Sequence, residues 1–377
     1  MNIARYYQPL DPHLEAGKVL VIYGPRQVGK TSLIKQYLQT TTKKYLLETG
    51  DDLRMQSLFA RQDRDELLSY ARGYELIIID EAQKIPYIGV GLKMLVDHRP
   101  DIMIIATGSS SFELAGQIGE PLVGRKKTLT LFPIAQIELA KISNDYELKK
   151  DLEMYLIYGE YPEIITATTP EAKRAKLEEI AYSYLLKDIL EVDRIKNSKA
   201  LMDLLKLVAF QVGNEVSLHE LGRQLGMNYK TVGRYLDVLE KSFILFRVGG
   251  FSRNLRNEIT KMNKYYFYDV GIRNALIANF NSLDFRNDKG ALWENFMFME
   301  RLKKRTYQNI YGNTYFWRTW NQQEIDMVEE RDGTLYGYEY KWSHHKENAK
   351  APKAWIDAYP GTSFEVITPG NYLSFVI

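Results

Sequence analysis

"KVLVIYGPRQVGKTSLIKQYL", Lys18 to Leu38, is the stretch whose reading decides the fold. Val19 to Tyr23 is a short apolar, β-rich run. Gly24 to Thr31, "GPRQVGKT", matches GxxxxGK(S/T), and apolar residues at helical spacing follow to Leu38. Strand, glycine loop and helix are the context in which that motif holds phosphate. The glycines let backbone N–H groups curl around an anion, and the following helix adds the positive end of its dipole. The expected phosphate-lining residues are Gly24, Arg26, Gln27, Val28, Gly29, Lys30, Thr31 and Ser32. Lys30 is placed to reach the β- and γ-phosphates, and Thr31 to ligate Mg²⁺.

Two further strands belong to the same pattern. "YELIIIDEAQK" is a continuous apolar run, as in a parallel strand buried on both faces, and ends in Asp80-Glu81. Asp80 is expected to hold Mg²⁺, directly or through water, and Glu81 to polarise the attacking water. "DIMIIATGSSS" runs through Ile102 to Ala106 and ends in Thr107, Gly108, Ser109 and Ser110. A hydroxyl there, Ser109 above all, either touches the γ-phosphate or water, or caps a helix. Ligands in open α/β sheets sit beyond the strand carboxyl ends, where all three motifs fall.

Composition bounds the rest. At 377 residues the chain is too long for one ordinary core. Apolar residues make up 45% and charged residues 26%, the balance of a globular protein. No run approaches the roughly eighteen apolar residues of a membrane span, and "MNIARYYQPL" lacks the apolar region of a signal peptide. Cysteine is absent, which excludes disulfides, thiolate zinc sites and thiol catalysis and fits a reducing cytoplasm. The net charge of +2 means that any nucleic-acid contact must use a local basic patch.

"GPRQVGKTS", "IIIDEAQ", "TGSSS" and "LVGRKKTLTLFPI" together resemble a prokaryotic group of AAA-type P-loop ATPases. Members of that group pair the ATPase with a C-terminal domain of unknown function, and the resemblance covers nearly the whole chain. It implies ATP and Mg²⁺ as ligands, and a sensor role for the hydroxyl group at the end of the third strand. It also implies that Arg125, after Gly124 and before Thr128 to Leu131, stands where AAA proteins carry an arginine finger. Such an arginine neutralises charge on a neighbour's γ-phosphate, which makes a homo-oligomer the expected assembly; the alternative is a surface arginine preceding a strand. "YGEYPEII", Tyr158 to Ile165, resembles the Gly-Gly-x-Pro turn of the helical lid, except that Glu160 replaces the second glycine.

Residues 136–200 read as that lid, with "EAKRAKLEEIAYSYLLKDIL" strongly periodic. In "EVSLHELGRQLGMNYKTVGRYLDVLEKSFILFRV", Ser217 and Glu220 form a capping box, Gly226 breaks the helix, and Asn228 caps the next. Helix, tight turn, helix and strand over 201–255 predict a winged helix-turn-helix. Tyr229, Lys230, Arg234 and Tyr235 are expected to face outward, suited either to DNA backbone contact or to packing on protein.

The last third, 256–377, carries a second candidate site. "ALWENFMFMERLKK" is an amphipathic helix bearing Glu294, and "TYFWRTWNQQEIDMVEE" reads as one strand reaching Asp326. A turn at Arg331-Asp332-Gly333 leads into "TLYGYEYKW", where Glu339 and Lys341 share one strand face. Helix-borne Glu, then Asp, then Glu-x-Lys is the order of a PD-(D/E)xK nuclease core. Asp326 and Glu339, with Glu294 from the helix, are candidate ligands of a second divalent ion, and Lys341 would orient the water. The alternative is a salt-bridge cluster without metal. His344 and His345 read as a solvated loop.

The sequence thus predicts an α/β protein: a P-loop AAA-type parallel-sheet domain over 1–135, a helical lid, a winged helix, and a restriction-endonuclease-like α/β domain. Two functions fit it. One is an ATP-driven protein acting on DNA; the other is a signalling or scaffold ATPase whose C-terminal modules are interaction surfaces.

Overall fold

A computed structural model describes residues 3–108, 121–184, 198–252, 262–343 and 350–377. The chain forms two compact units, one mainly of Ala4–Pro133 and the other mainly of residues 134–377. The expected site residue Ser109 lies outside the described residues, as do Ser110, His344, His345 and part of the predicted lid.

In the first unit, strands β1 (Lys18–Tyr23), β2 (Tyr45–Thr49), β3 (Leu76–Asp80), β4 (Met103–Gly108) and β5 (Lys126–Thr130) form a sheet in the order β2-β3-β4-β1-β5. All its pairings are parallel, so every carboxyl end lies along one edge. The central strands are apolar throughout because helices cover both faces; Leu76 to Ile79 are fully buried. The helices are α1 (Lys30–Leu38), α2 (Leu53–Ala60), α3 (Arg64–Tyr70) and α4 (Ile88–His98). Asp52 and Asp63 cap α2 and α3 by accepting from the Arg54 and Glu66 amides. No described helix is long and apolar enough to cross a membrane.

The second unit begins with short helices: α5 (Gln136–Leu139), α6 (Asp145–Lys150), α7 (Leu152–Tyr158), α8 (Pro162–Thr166) and α9 (Pro170–Glu178). Then come α10 (Ser198–Phe210), β6 (Glu215–Val216), α11 (Leu218–Leu225), α12 (Tyr229–Lys241), β7 (Leu245–Gly250) and β8 (Asn263–Phe267). The Ser217 side chain accepts from the Glu220 amide, Gly226 ends α11 in the left-handed region, and Asn228 Oδ1 accepts from the Lys230 amide. Helix α13 (Val270–Leu276) and the long α14 (Lys289–Tyr307) lead to β9 (Asn313–Arg318), β10 (Glu324–Arg331), β11 (Thr334–Tyr340), α15 (Lys353–Ala358), β12 (Ser363–Ile367) and α16 (Tyr372–Val376).

One mixed sheet, in the order β12-β11-β10-β9-β7-β8-β6, runs through this unit. Parallel pairing of β7 with β9, at Gly249↔Tyr315 and Gly250↔Phe316, makes it continuous across the boundary expected at residue 255. The segment read as a single strand, "TYFWRTWNQQEIDMVEE", is instead the antiparallel pair β9 and β10. Its polar middle closes a turn in which Thr319 and Gln323 bond and Gln322 takes a positive φ. The β10–β11 connection is the predicted turn, with Asp332 and Gly333 both at positive φ, as a two-residue hairpin requires. Phe251, Trp317, Ile325, Val328, Leu335 and Trp355 form a core on one face of this sheet.

Two candidate sites, one in each unit

The phosphate loop follows from its backbone. Gly24 has φ 151° and Gly29 φ 94°, conformations costly for a side chain. A Cβ on Gly24 would also lie 2.0 Å from the Leu131 carbonyl oxygen. Gln27 accepts a φ of 60° between them, and such alternation turns successive amides toward one concavity. Gly29 then starts α1, whose first-turn N–H groups have no acceptor within the helix.

Lys30 is buried, and its ammonium donates to the carbonyls of Gly24 (2.8 Å) and Pro25 (2.6 Å), across the mouth of the loop. Thr31 Oγ1 donates to Asp80 Oδ2 at 2.7 Å, and the Thr107 hydroxyl donates to the other Asp80 oxygen. The start of α1 and the ends of β3 and β4 thus meet at one carboxylate. The Glu81 amide donates to Thr107 Oγ1 at 3.1 Å, and the Gln83 side chain donates to Glu81 Oε2 at 2.6 Å. Glu81 adopts the left-handed region at φ 52°, a strained conformation for a residue of its type. The Thr31 hydroxyl and Asp80 carboxylate are hard oxygen donors side by side, and their chemistry fits Mg²⁺. Ser32 is exposed in the first turn of α1, Arg26 is half-buried and Val28 is buried in the loop.

Arg125 stands elsewhere in this unit. It precedes β5, and the register Val19↔Lys126 puts it at the amino end of the sheet, away from the unit's own phosphate loop. Its guanidinium is paired with Asp97 of α4 and is half-exposed.

The second unit brings Glu294, Asp326, Glu339 and Lys341 into one electrostatic cluster. The β9–β10 register slips between Ile325 and Val328, so the extra residue of a bulge falls at Asp326–Met327. The Asp326 carboxylate accepts from the Tyr340 amide at 2.8 Å. The Lys341 ammonium is paired with Glu339. Burial, then the nearby Glu294 and Glu339 carboxylates, hold the Asp326 carboxyl well above the usual range. Burial also raises Glu339, against the pull of Lys341.

Three residues that the sequence reading passed over complete this cluster. Lys264 of β8 is almost fully buried and donates to Glu294 at 3.1 Å and to Glu324 at 2.5 Å. Tyr266, two residues on and on the same strand face, donates to Glu294 at 2.6 Å. Burial opposes charge on Lys264, but Glu294, Glu324 and Asp326 outweigh it and keep the ammonium protonated well above its usual range. The available signal was the alternation of Lys264 and Tyr266 in "NKYYF".

Lys264 and Lys341 thus stand among the carboxylates of Glu294, Asp326 and Glu339, the expected ligands of a second divalent ion. Among the described residues no three Asp, Glu or His side chains are arranged to hold a metal ion. The cation between Glu294 and Glu324 is the Lys264 ammonium. Glu160 is the residue that replaces the second glycine of the lid-like turn. It is buried, accepts from Gln136 and pairs with Lys303 of α14 at 2.7 Å, while Pro162 opens α8.

On α12, Tyr229, Lys230 and Arg234 are exposed as expected, and the Tyr229 ring stacks on His219 at 4.3 Å. Tyr235 is not: it is buried with Val232, Leu236 and Leu239. Positions 232, 235, 236 and 239 form one helical stripe, so the apolar face claims the tyrosine ring.

Residues 16–140 match the family described as AAA domain, 149–283 a domain of unknown function (DUF8612) and 289–371 another (DUF4143). The first unit therefore carries an AAA-type P-loop domain. An uncharacterised protein of Mycobacterium tuberculosis is 26% identical over 364 residues, spanning 95% of this chain and 78% of that one. Uncharacterised proteins of Methanocaldococcus jannaschii (25% over 365 residues, 91% and 79%) and Haemophilus influenzae (26% over 361 residues, 88% and 84%) are similar as well. Among solved structures, a RuvB variant of Thermotoga maritima is 19% identical over 61% of this chain and 82% of that chain, with a TM-score of 0.28. A katanin structure is 16% identical over 48% and 61%, with a TM-score of 0.25. Overlaps this loose carry no argument.

Proposed function

We propose that this protein binds and hydrolyses ATP with Mg²⁺, and that it works as a nucleotide-driven switch in a homo-oligomer. The observation that carries the reading is the meeting of Thr31, Asp80 and Thr107 beside the loop that holds Lys30. Backbone amides of the loop and the start of α1 bind the phosphates. Lys30 leaves the Gly24 and Pro25 carbonyls to reach the outer phosphates, so its present bonds keep a buried ammonium satisfied until nucleotide arrives. Bound Mg²⁺, held by Thr31 and Asp80, supplies charge neutralisation at the phosphates. Glu81 orients the attacking water, and Gln83 fixes its carboxylate. Arg125, away from its own loop, serves the site of a neighbouring copy.

Purified protein should turn over ATP slowly with Mg²⁺. Lys30→Ala should lose nucleotide affinity, whereas Glu81→Gln should bind ATP and stall. Full turnover by Glu81→Gln removes Glu81 from the mechanism.

For the second unit, the convergence of Glu294, Asp326, Glu339 and Lys341 at a bulged strand favours a nuclease-like domain of PD-(D/E)xK type. The order α10, β6, α11, α12, β7 and β8 supports a winged helix, with Lys230 and Arg234 facing DNA phosphates. Here Lys264 is the resident cation, and a divalent ion would bind only by displacing it. Incubation with DNA substrates, ATP and Mn²⁺ tests this. Nucleotide-dependent assembly without DNA stimulation or cleavage supports instead a signalling ATPase with a non-catalytic C-terminal unit.

A further inference from the structure

Arg5 lies ahead of β1, outside every motif of the nucleotide site, yet it is 4% exposed. Its guanidinium is a fork with two separate anchors. One nitrogen donates to the Val28 carbonyl of the phosphate loop, and the other donates to the Phe132 carbonyl, just beyond β5, at 2.7 Å. The seat of this residue is itself fixed. Its amide donates to Gln8 Oε1 at 3.1 Å, and the Gln8 side chain donates to Gln36 of α1. A Cβ on Gly29 would stand 3.6 Å from the guanidinium, so the fork lies directly against the loop.

The peptide bond from Val28 to Gly29 is planar, and across it the C=O and the N–H point in opposite directions. A guanidinium that holds the Val28 carbonyl on one side of the loop therefore turns the Gly29 amide to the other. That amide immediately precedes Lys30, at the helix start that receives phosphate. We infer that Arg5 is a positioning residue of the phosphate site: by gripping the Val28 carbonyl and tying it to Phe132, it aims the Gly29 N–H at the nucleotide. The ligand class is a nucleoside di- or triphosphate, so the inference rests on the ATPase reading. Arg5 itself touches the loop and not the nucleotide. Its fixed charge also adds attraction for an anion without making a direct contact.

The experiment uses the full chain and fluorescent ATP and ADP analogues, with folding checked by circular dichroism. Arg5→Ala should weaken both nucleotides about tenfold, the scale of one charge-assisted hydrogen bond. Turnover at saturating ATP should stay within about threefold, because an amide that binds ground and transition states alike moves KM more than kcat. Arg5→Lys should recover part of the affinity, since an ammonium replaces the charge but not the fork. A merely structural role would reduce the folded fraction and leave the folded molecules binding normally.

Folded Arg5→Ala protein with affinity within about twofold of wild type, well short of the loss expected for such a bond, overturns the inference. If Arg5→Ala does not fold, Arg5→Lys decides: weaker binding supports the inference and wild-type binding overturns it. Wild-type protein that binds neither analogue overturns the ATPase reading and this inference with it. Wild-type binding with unaffected Arg5 variants overturns this inference alone.

Discussion

Replacing Lys264 with methionine tests whether the second site is held together by its own lysine. The substitution keeps an unbranched stem of similar reach and removes the ammonium. In the folded chain that ammonium, 1% exposed, faces Glu294 at 3.1 Å and Glu324 at 2.5 Å, with Asp326 close enough to feel its charge. Removing one partner of a buried ion pair leaves an uncompensated charge and costs on the order of 3–5 kcal/mol. The remaining Lys341 is paired with Glu339 and cannot take up the deficit.

The cost should depend on pH in a definite direction. Asp326 and Glu339 already have raised proton affinity in the folded state. A carboxyl raised in this way contributes stability at low pH and loses it as pH rises through its folded-state value. Lys264 pulls the Asp326 carboxyl down, so without it that group rises further, and the penalty should be largest near pH 8 and shrink as pH falls and protons replace the missing cation. All five tryptophans lie between Trp293 and Trp355, so urea unfolding followed by tryptophan fluorescence reports on this unit. A Lys264→Met protein within about 1 kcal/mol of wild type near pH 8, or one destabilised more in acid, refutes the reasoning.

Other outcomes follow from the same geometry. Calorimetry should show weak Mn²⁺ binding to wild type and tighter binding to Lys264→Met, both abolished by adding Asp326→Ala; no Mn²⁺ binding by either protein removes the nuclease reading. Arg125→Ala and Lys30→Ala proteins, each inactive alone, should recover part of the ATPase activity when mixed, whereas no recovery in mixtures shown to co-assemble counts against action between copies. Duplex DNA binding should weaken with salt, and replacing Lys230 and Arg234 together should flatten that dependence by about two units of slope; an unchanged slope assigns that face of α12 to protein.

The sequence by itself determined the local chemistry of the phosphate loop. Gly24, Gly29, Lys30 and Thr31 lie within eight residues of sequence, so the loop's turn chemistry follows from backbone rules that act over that span. It determined in the same way the capping of α11 and α12 by Ser217 and Asn228, and the β10–β11 turn at Asp332-Gly333. The tertiary structure decided which distant side chains share a site. Thr107 reaches Asp80 because the parallel sheet aligns the ends of β3 and β4. Lys264 neutralises Glu294 and Glu324 because β8 joins a sheet that continues into β9 and β10. Arg5 reaches the Val28 and Phe132 carbonyls because the fold brings the N-terminal segment against the loop and the end of β5. A charged residue's partner is set by desolvation and by whatever the fold places within a few ångströms. Sequence spacing carries no record of neighbours drawn from 23 to 127 positions away, and so the cation of the second site was legible only in the fold.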